Sequence, residues 1–309
     1  MTESARQIRE GSPRALARTA TGIENRDPQA LATLQDLAPF AGHARIVGIT
    51  GAPGAGKSTL VDALAAAIRR EGKTLAILAV DPTSSITGGA ILGDRIRMQQ
   101  HHADPGIFIR SMATRGSLGG LARATADLAQ LMDAAGKDYV LIETVGVGQA
   151  EIAIANLAQV TVVVLVPGMG DDVQAIKAGI LEIADIFAIN KSDQPGADRV
   201  ERELEAMLSL SDARTPVIAK TVATTGEGIA ALLEAIQVGR TPTSVPDPQV
   251  RQFRVSGPAP PIVLHINNLS DALAQFQSAG ASVQPGPEGH ILIEPPPGVF
   301  LELIEEAAE

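Results

Sequence analysis

The sequence predicts an α/β chain: a mostly parallel sheet flanked by helices, preceded by a helical segment and followed by a small α+β module of βαβββ order. Three observations lead there. From Arg45 onward, near-continuous apolar runs alternate with amphipathic stretches, the pattern of strands covered on both faces by crossover helices. Hydrophobic residues make up 45% of the 309-residue chain but aromatics only 2%, so a sizeable core must be aliphatic, which favours such strands over an aromatic-rich β-sandwich. A proline-rich break, TPTSVPDPQV followed by SGPAPP, interrupts the alternation over 241–261 and reads as a linker.

Residues 1–42 come first, with two or three short helices. Ser12-Pro13 and Asp27-Pro28 each pair a capping side chain with a proline suited to a first helical turn. Val and Ile are scarce there, which places this segment outside the sheet. The α/β domain spans 43–240. Its strand runs are RIVGIT, TLAILAV, GIFIRSM, DYVLIET, VTVVVLV, IFAIN and PVIAKTV, with helical stretches such as STLVDALAAAIRREG and RVERELEAMLSL between them. The last module, 262–309, reads as a strand (IVLHI), a helix (SDALAQFQSAG) and further strands in ASVQP, HILIEP and VFLELIE.

Charge and composition exclude several classes. The net charge is −10 with no basic cluster, so neither nucleic acid nor an anionic membrane is expected as a main partner. Without cysteine there are no disulfides, thiolate metal sites or cysteine nucleophiles. The polar N-terminus lacks a signal-peptide core, and no apolar run reaches the ~20 residues of a membrane helix. A cytoplasmic protein is the expectation.

The phosphate site is the most specific signal. Gly51-Ala52-Pro53-Gly54-Ala55-Gly56-Lys57-Ser58-Thr59 matches G-x-x-x-x-G-K-[ST] and lies between a strand and a helix, as that motif requires. Its glycines let backbone N–H groups wrap a phosphate, and the following helix adds its positive end. Lys57 is placed to reach the β- and γ-phosphates, and Ser58 to offer a hydroxyl to Mg²⁺.

Asn190-Lys191-Ser192-Asp193 follows the strand IFAI. An N-K-x-D sequence there reads guanine, because the Asp193 carboxylate accepts from N1–H and the 2-amino group. Adenine offers neither donor and would leave the carboxylate unmatched. Val222-Ala223-Thr224-Thr225-Gly226-Glu227-Gly228 stands where a third loop contacts the guanine carbonyl. GTP and GDP are the expected nucleotides.

Two carboxylates end strands: Asp81 in VDPTSS and Glu143 in LIETVGVGQ. Ligands of open α/β sheets bind outside the carboxyl ends of the strands, so both acids face the phosphate loop. Asp94, in GGAILGDRIRM, lies in a glycine-rich stretch suited to a switch, with an exposed acid as the competing reading. Gly168 to Lys177 forms another glycine-hinged segment entering a helix. Gln174 and Lys177 share a helix face there, and Lys177 is either a nucleotide-reaching lysine or an exposed one. The neighbouring His101 and His102 support no metal site.

Taken together, GAPGAGKST, AVDPTSS, GGAILGDRIRM, TRGSLGG, LIETVGVGQ, GDDVQAIKAGI, INKSD and VATTGEG, in this order, resemble the methylmalonyl-CoA mutase-associated GTPases of the MeaB, ArgK and MMAA type. The resemblance covers about residues 1–240. ETVGVGQ is its specific mark, since most GTPases carry Asp-x-x-Gly where this family has Glu. The resemblance implies a P-loop fold and a GTPase chaperone of an adenosylcobalamin-dependent acyl-CoA mutase, gating cofactor loading and protecting the mutase. It further implies that Lys57, Asp81, Asp94, Glu143 and Lys177 form the catalytic set. Ser58, Asp81, Asp94 and Glu143 would hold Mg²⁺, and the GDDVQAIK loop would sense the mutase.

After residue 240 the chain departs from that family, whose helical dimerisation arm is absent. The tail resembles half of a vicinal-oxygen-chelate domain, the superfamily of glyoxalase and methylmalonyl-CoA epimerase. Glu302 matches that superfamily's terminal metal-ligand glutamate. Pro261 stands at the expected histidine position, and His265 lies about 13 Å further along the strand. One ligand cannot hold a metal, so a non-catalytic module that pairs two chains into a homodimer is expected. Two alternatives stand beside the chaperone: a bifunctional GTPase with an epimerase-like tail, and a metal-insertion GTPase. The second is disfavoured by the missing cysteine and histidine tracts.

Overall fold

The computed structural model describes residues 1–81, 104–113, 118–144, 157–168, 183–209 and 216–239, with four further strands at Ile262–Ile266, Ser282–Pro285, Ile291–Glu294 and Leu301–Glu305. The chain divides into two compact units, Met1–Val245 and Pro246–Glu309.

In the first unit, seven strands form one sheet: β1 (Arg45–Gly51), β2 (Leu75–Asp81), β3 (Ile107–Ala113), β4 (Tyr139–Thr144), β5 (Val160–Leu165), β6 (Ile186–Asn190) and β7 (Val217–Thr221). Their order is β3-β2-β4-β1-β5-β6-β7, and every neighbouring pair is parallel. Each apolar run of the sequence supplies one strand. The order runs one way from β1 through β4 and the other way through β5, so β1 sits at the switch point where α/β sheets bind ligands.

Both faces are covered. On one face lie α1 (Glu3–Arg9), α2 (Pro13–Glu24), α3 (Pro28–Leu37) and α5 (Leu118–Ala134). They close over Ile46, Leu78, Val80, Val140 and Ile142, while α6 (Ala197–Leu208) covers Val163, Leu165, Phe187 and Ile189 further along. On the other face α4 (Lys57–Arg70) and α7 (Ile229–Val238) pack on Val47, Ile49, Ile77, Leu141, Val162 and Val164. The core is aliphatic, as the composition requires. Each such side chain contributes about 1.5–3 kcal/mol by leaving water.

The first helices dock rather than dangle. Ser12 caps α2 by accepting from the Ala15 N–H at 3.3 Å, and Asp27 caps α3 by accepting from the Gln29 N–H at 2.7 Å. Each cap is followed by the proline expected there. Arg110 of β3 forks onto Glu24 at 2.7 and 2.8 Å, and Arg26 reaches Asp127 at 2.7 Å.

At the amino ends of the strands a cavity of about 210 Å³ is lined by Arg9, Phe40, His43, Asp133 and Lys137. Its polar groups are used by the chain itself. Asp133 accepts from the His43 and Ala44 N–H groups at 3.0 and 2.8 Å, Arg9 donates to the Ala134 carbonyl at 3.1 Å, and Lys137 donates to that of Gly106 at 3.2 Å.

In the second unit the strands β8 (Ile262–Ile266), β9 (Ser282–Pro285), β10 (Ile291–Glu294) and β11 (Leu301–Glu305) form a sheet of order β8-β11-β10-β9. β8 runs parallel to β11, and the other pairs are antiparallel. This is the order a βαβββ module gives when its first and last strands meet. The expected helix at 270–280 lies outside the described residues.

Candidate active site

The site is built at the carboxyl end of β1. Gly51 closes that strand at φ +140°, where an added Cβ would come within 2.3 Å of the Val164 carbonyl oxygen. Only glycine lets the chain leave the sheet against β5 at this point. The loop then runs through exposed Pro53 and Gly54 to Gly56, which adopts φ 85° and starts α4 without a side-chain cap. The first N–H groups of that helix therefore point into the loop's concavity, the arrangement that binds phosphate.

Lys57 lies buried inside this loop. Its ammonium donates to the carbonyls of Gly51 at 2.6 Å and Ala52 at 2.9 Å. A buried cation is tolerated only with such partners, and these hold the charge at the centre of the loop. Ser58 donates its hydroxyl to Glu143 at 2.6 Å, a length typical of O–H to carboxylate bonds. Glu143 is buried at 6% exposure. It stands one residue from the end of β4, opposite Ile49 of β1. The sequence placed both residues near the phosphates but gave no sign that they touch.

Asp81 ends β2, and the neighbouring Val80 is in register with Thr144 of β4. It thus sits at the same carboxyl edge as Glu143, one strand over. Asp94, Asp171 and Lys177 lie outside the described residues, as do His101 and His102.

The base motif is joined to the phosphate loop by Asn190, which ends β6 at 2% exposure. Its amide donates to the Ala55 carbonyl at 3.0 Å, and its oxygen accepts from the Thr221 hydroxyl at 3.3 Å and the Ala223 N–H at 3.2 Å. One side chain therefore ties three loops together. Lys191, at φ 55°, donates to the Gly54 carbonyl at 3.0 Å from outside. The Ser192 N–H donates to the Thr221 carbonyl at 3.1 Å, and Asp193 is exposed at the turn beyond it. The third loop closes on itself, with the Val222 N–H donating to Glu227 at 3.0 Å and the Gly226 N–H donating to Val222 at 2.9 Å. Val222 is buried, and Ala223 and Thr224 face progressively outward. Phosphate loop, base motif and third loop thus share one edge of the sheet.

Two further residues escaped the sequence reading. Thr50, just before the loop, and Thr144, just after Glu143, are 1% and 2% exposed, and their hydroxyls meet at 2.9 Å. In a strand, threonine is ordinary, so nothing in the sequence marks them.

With this geometry in view, comparison with known proteins decides the family. Residues 16–245 match the family described as Methylmalonyl Co-A mutase-associated GTPase MeaB. The chain belongs to that family. A Pyrococcus horikoshii protein carrying a GTPase name is 52% identical over 241 residues, 76% of each chain. The Escherichia coli GTPase ArgK is 43% identical over 197 residues, 62% of this chain and 60% of ArgK. Among solved structures, that of a LAO/AO transport system kinase matches with a TM-score of 0.61 and 31% identity, over 76% of this chain and 73% of that one. As a MeaB-family member the chain is a P-loop GTPase, and guanine nucleotide is the ligand its loops are built around.

Proposed function

We propose that the chain is the GTP-hydrolysing chaperone of an adenosylcobalamin-dependent acyl-CoA mutase, methylmalonyl-CoA mutase first, gating cofactor loading and protecting the mutase. The observation that carries the nucleotide half is Asn190, whose contacts to Ala55 and Ala223 hold phosphate loop and guanine loop in one frame. The mutase half rests on family membership over 16–245.

On this reading Lys57 exchanges the Gly51 and Ala52 carbonyls for β- and γ-phosphate oxygens. The N–H groups of the loop and of the first turn of α4 receive the remaining phosphate charge. Asp193 selects guanine, and Val222, Ala223 and Thr224 line the base. The paired hard oxygens of Ser58 and Glu143 suit Mg²⁺, with Asp81 and Asp94 completing the set. Mg²⁺ at that place supplies positive charge against the phosphates. Lys177 and the loop from Asp171 to Lys177 act as the mutase-sensing switch. The working compartment is the cytoplasm, and no helix among the described residues is long and apolar enough to cross a membrane.

We assign the segments as a helical 1–42, a GTPase domain 43–240, a linker 241–261 and a tail module 262–309 that pairs two chains into a homodimer. Strand β8 forms an open edge of the tail's sheet, which supports pairing. In register, Glu302 lies opposite Val263, and His265 opposite Ile304. Glu305, the other carboxylate on those two strands, alternates to the opposite face from Glu302 and His265, so the tail is read as non-catalytic. Isothermal titration against a cobalamin-dependent mutase tests the chaperone role, with binding expected to differ between GDP and a non-hydrolysable GTP analogue. Equal heats in both nucleotide states, or none, would remove that role and leave the GTPase. A chain ending at Val245 that stays dimeric would remove the pairing role of the tail.

A further inference from the structure

Thr50 and Thr144 stand where the strand that feeds the phosphate loop meets the strand that carries Glu143. Backbone pairing between β1 and β4 reaches Ile49 opposite Glu143. Two residues further, Gly51, still paired with Val164 of β5, begins the turn into the phosphate loop. Between those points the Thr144 hydroxyl donates to the Thr50 hydroxyl at 2.9 Å, so a side-chain bond continues the ladder where the chain begins to diverge.

Alternation along the strands separates two contacts. Ile49 packs on the face covered by α4, and its partner Glu143 reaches Ser58 of that helix. Thr50 and Thr144 occupy the opposite face, the one that carries Ile142 and Val80. The hydroxyl pair thus clamps the two strand ends from behind while Glu143 works in front. Both hydroxyls are buried, so losing one partner strands the other, and the strand ends gain freedom at the depth where the carboxylate leaves the sheet.

We propose that the Thr50–Thr144 pair is a positioning clasp: it fixes the Glu143 carboxylate against the Ser58 hydroxyl and thereby sets how strongly Mg²⁺ strengthens nucleotide binding. The inference rests on the reading of Ser58 and Glu143 as Mg²⁺ ligands. Both threonines lie on the sheet face opposite the one that carries Ile49 and Glu143, so the expected effect is confined to the metal-dependent part of binding.

The test measures the affinity of the full-length protein for a fluorescent GDP with Mg²⁺ and with excess EDTA, and the Mg²⁺ dependence of GTP hydrolysis. In Thr144→Val the EDTA affinity stays within twofold of wild type. The Mg²⁺-dependent gain falls five- to tenfold, and the Mg²⁺ concentration for half-maximal hydrolysis rises by a similar factor. Thr144→Ser restores both within twofold. The double variant Thr50→Val/Thr144→Val, which leaves no stranded hydroxyl, regains thermal stability but keeps the Mg²⁺ defect, and it serves as the readout where the single variant does not fold. An unchanged Mg²⁺ gain in the folded variants overturns the clasp, and so does an equal loss with and without Mg²⁺. A wild-type protein whose GDP affinity ignores Mg²⁺ overturns instead the assignment of Ser58 and Glu143.

Discussion

The Asn190 amide donates to the Ala55 carbonyl at 3.0 Å, so a residue at the end of β6 holds the loop that leaves β1, two strands away in the sheet. The N-K-x-D turn, the phosphate loop and the loop after β7 are mechanically one unit. Asn190→Ala leaves the Ala55 carbonyl, the Thr221 hydroxyl and the Ala223 N–H without this partner in a buried place. A stability loss of about 3 kcal/mol is expected. GDP and GTP affinities fall together, since the frame serves both. Thermal unfolding with nucleotide titration checks this; a stable variant with normal affinity would mean the three loops hold without the amide.

Asp193 behaves differently because it is exposed and bears no part of the fold. Asp193→Asn removes the charged acceptor for guanine N1–H and the 2-amino group. Two hydrogen bonds to a charged group at about 1.5–3 kcal/mol each put the GDP loss at about 100-fold or more. The asparagine amide now suits a base with a carbonyl at the 2-position, so xanthosine diphosphate gains affinity. Competition between the two nucleotides is the measurement, with stability unchanged.

These two residues mark what a sequence can disclose. The place of Asp193 was legible, an exposed turn after an apolar strand downstream of a phosphate loop, and its guanine-reading role is the one proposed from that place. The strands were legible because RIVGIT or IFAIN, buried on both faces, must be apolar throughout. The Ser58–Glu143 and Thr50–Thr144 contacts were not, because they join residues far apart in sequence through the strand order. That order, with β4 rather than β2 beside β1, is fixed by packing and not by any local pattern. Asp94 and Lys177 lie outside the described residues, so their assignment rests on the motif resemblance.

Glycine positions separate space from conformation. Gly51 and Gly72 both have positive φ, but a Cβ on Gly51 would strike the Val164 carbonyl at 2.3 Å while one on Gly72 meets nothing within 4 Å. Gly72→Ala therefore costs only conformational strain, about 1 kcal/mol. Gly51→Ala adds a backbone collision that moves β1 from β5, for a loss of about 3 kcal/mol or more and of nucleotide binding. Urea unfolding of the two variants separates these cases; equal losses would mean β5 yields freely.

Lys137 gives a pH dependence. Burial, with the nearby Arg69 charge second, holds its ammonium pKa below the usual lysine value. Between the folded value and ~10.4 for the unfolded chain the folded state binds fewer protons. Stability from this group therefore rises with pH across that window, and the penalty is fully present below it. Lys137→Met removes the penalty, so its advantage over wild type is greatest near neutral pH and shrinks toward pH ~10. Urea midpoints at both pH values test this. A constant difference would assign the effect to packing or to the lost bond to Gly106.

On the proposed assignment, Glu143 is the residue whose loss hydrolysis should feel most. Its carboxylate accepts from Ser58 at 2.6 Å inside the protein, and a glutamine oxygen accepts the same bond. Glu143→Gln therefore keeps the fold, and removing a buried charge leaves stability equal or higher. What disappears is negative charge beside the Ser58 hydroxyl, where Mg²⁺ and the phosphates would be organised. Loss of one such electrostatic contact costs about 10²-fold in turnover. Phosphate release under saturating GTP should fall by that factor, while GDP affinity in EDTA stays near wild type. If turnover is unchanged, Glu143 supports the fold alone and the carboxylate for hydrolysis must be sought at Asp81 or Asp94. If EDTA affinity also collapses, the Ser58–Glu143 contact shapes the phosphate loop itself rather than the metal beside it.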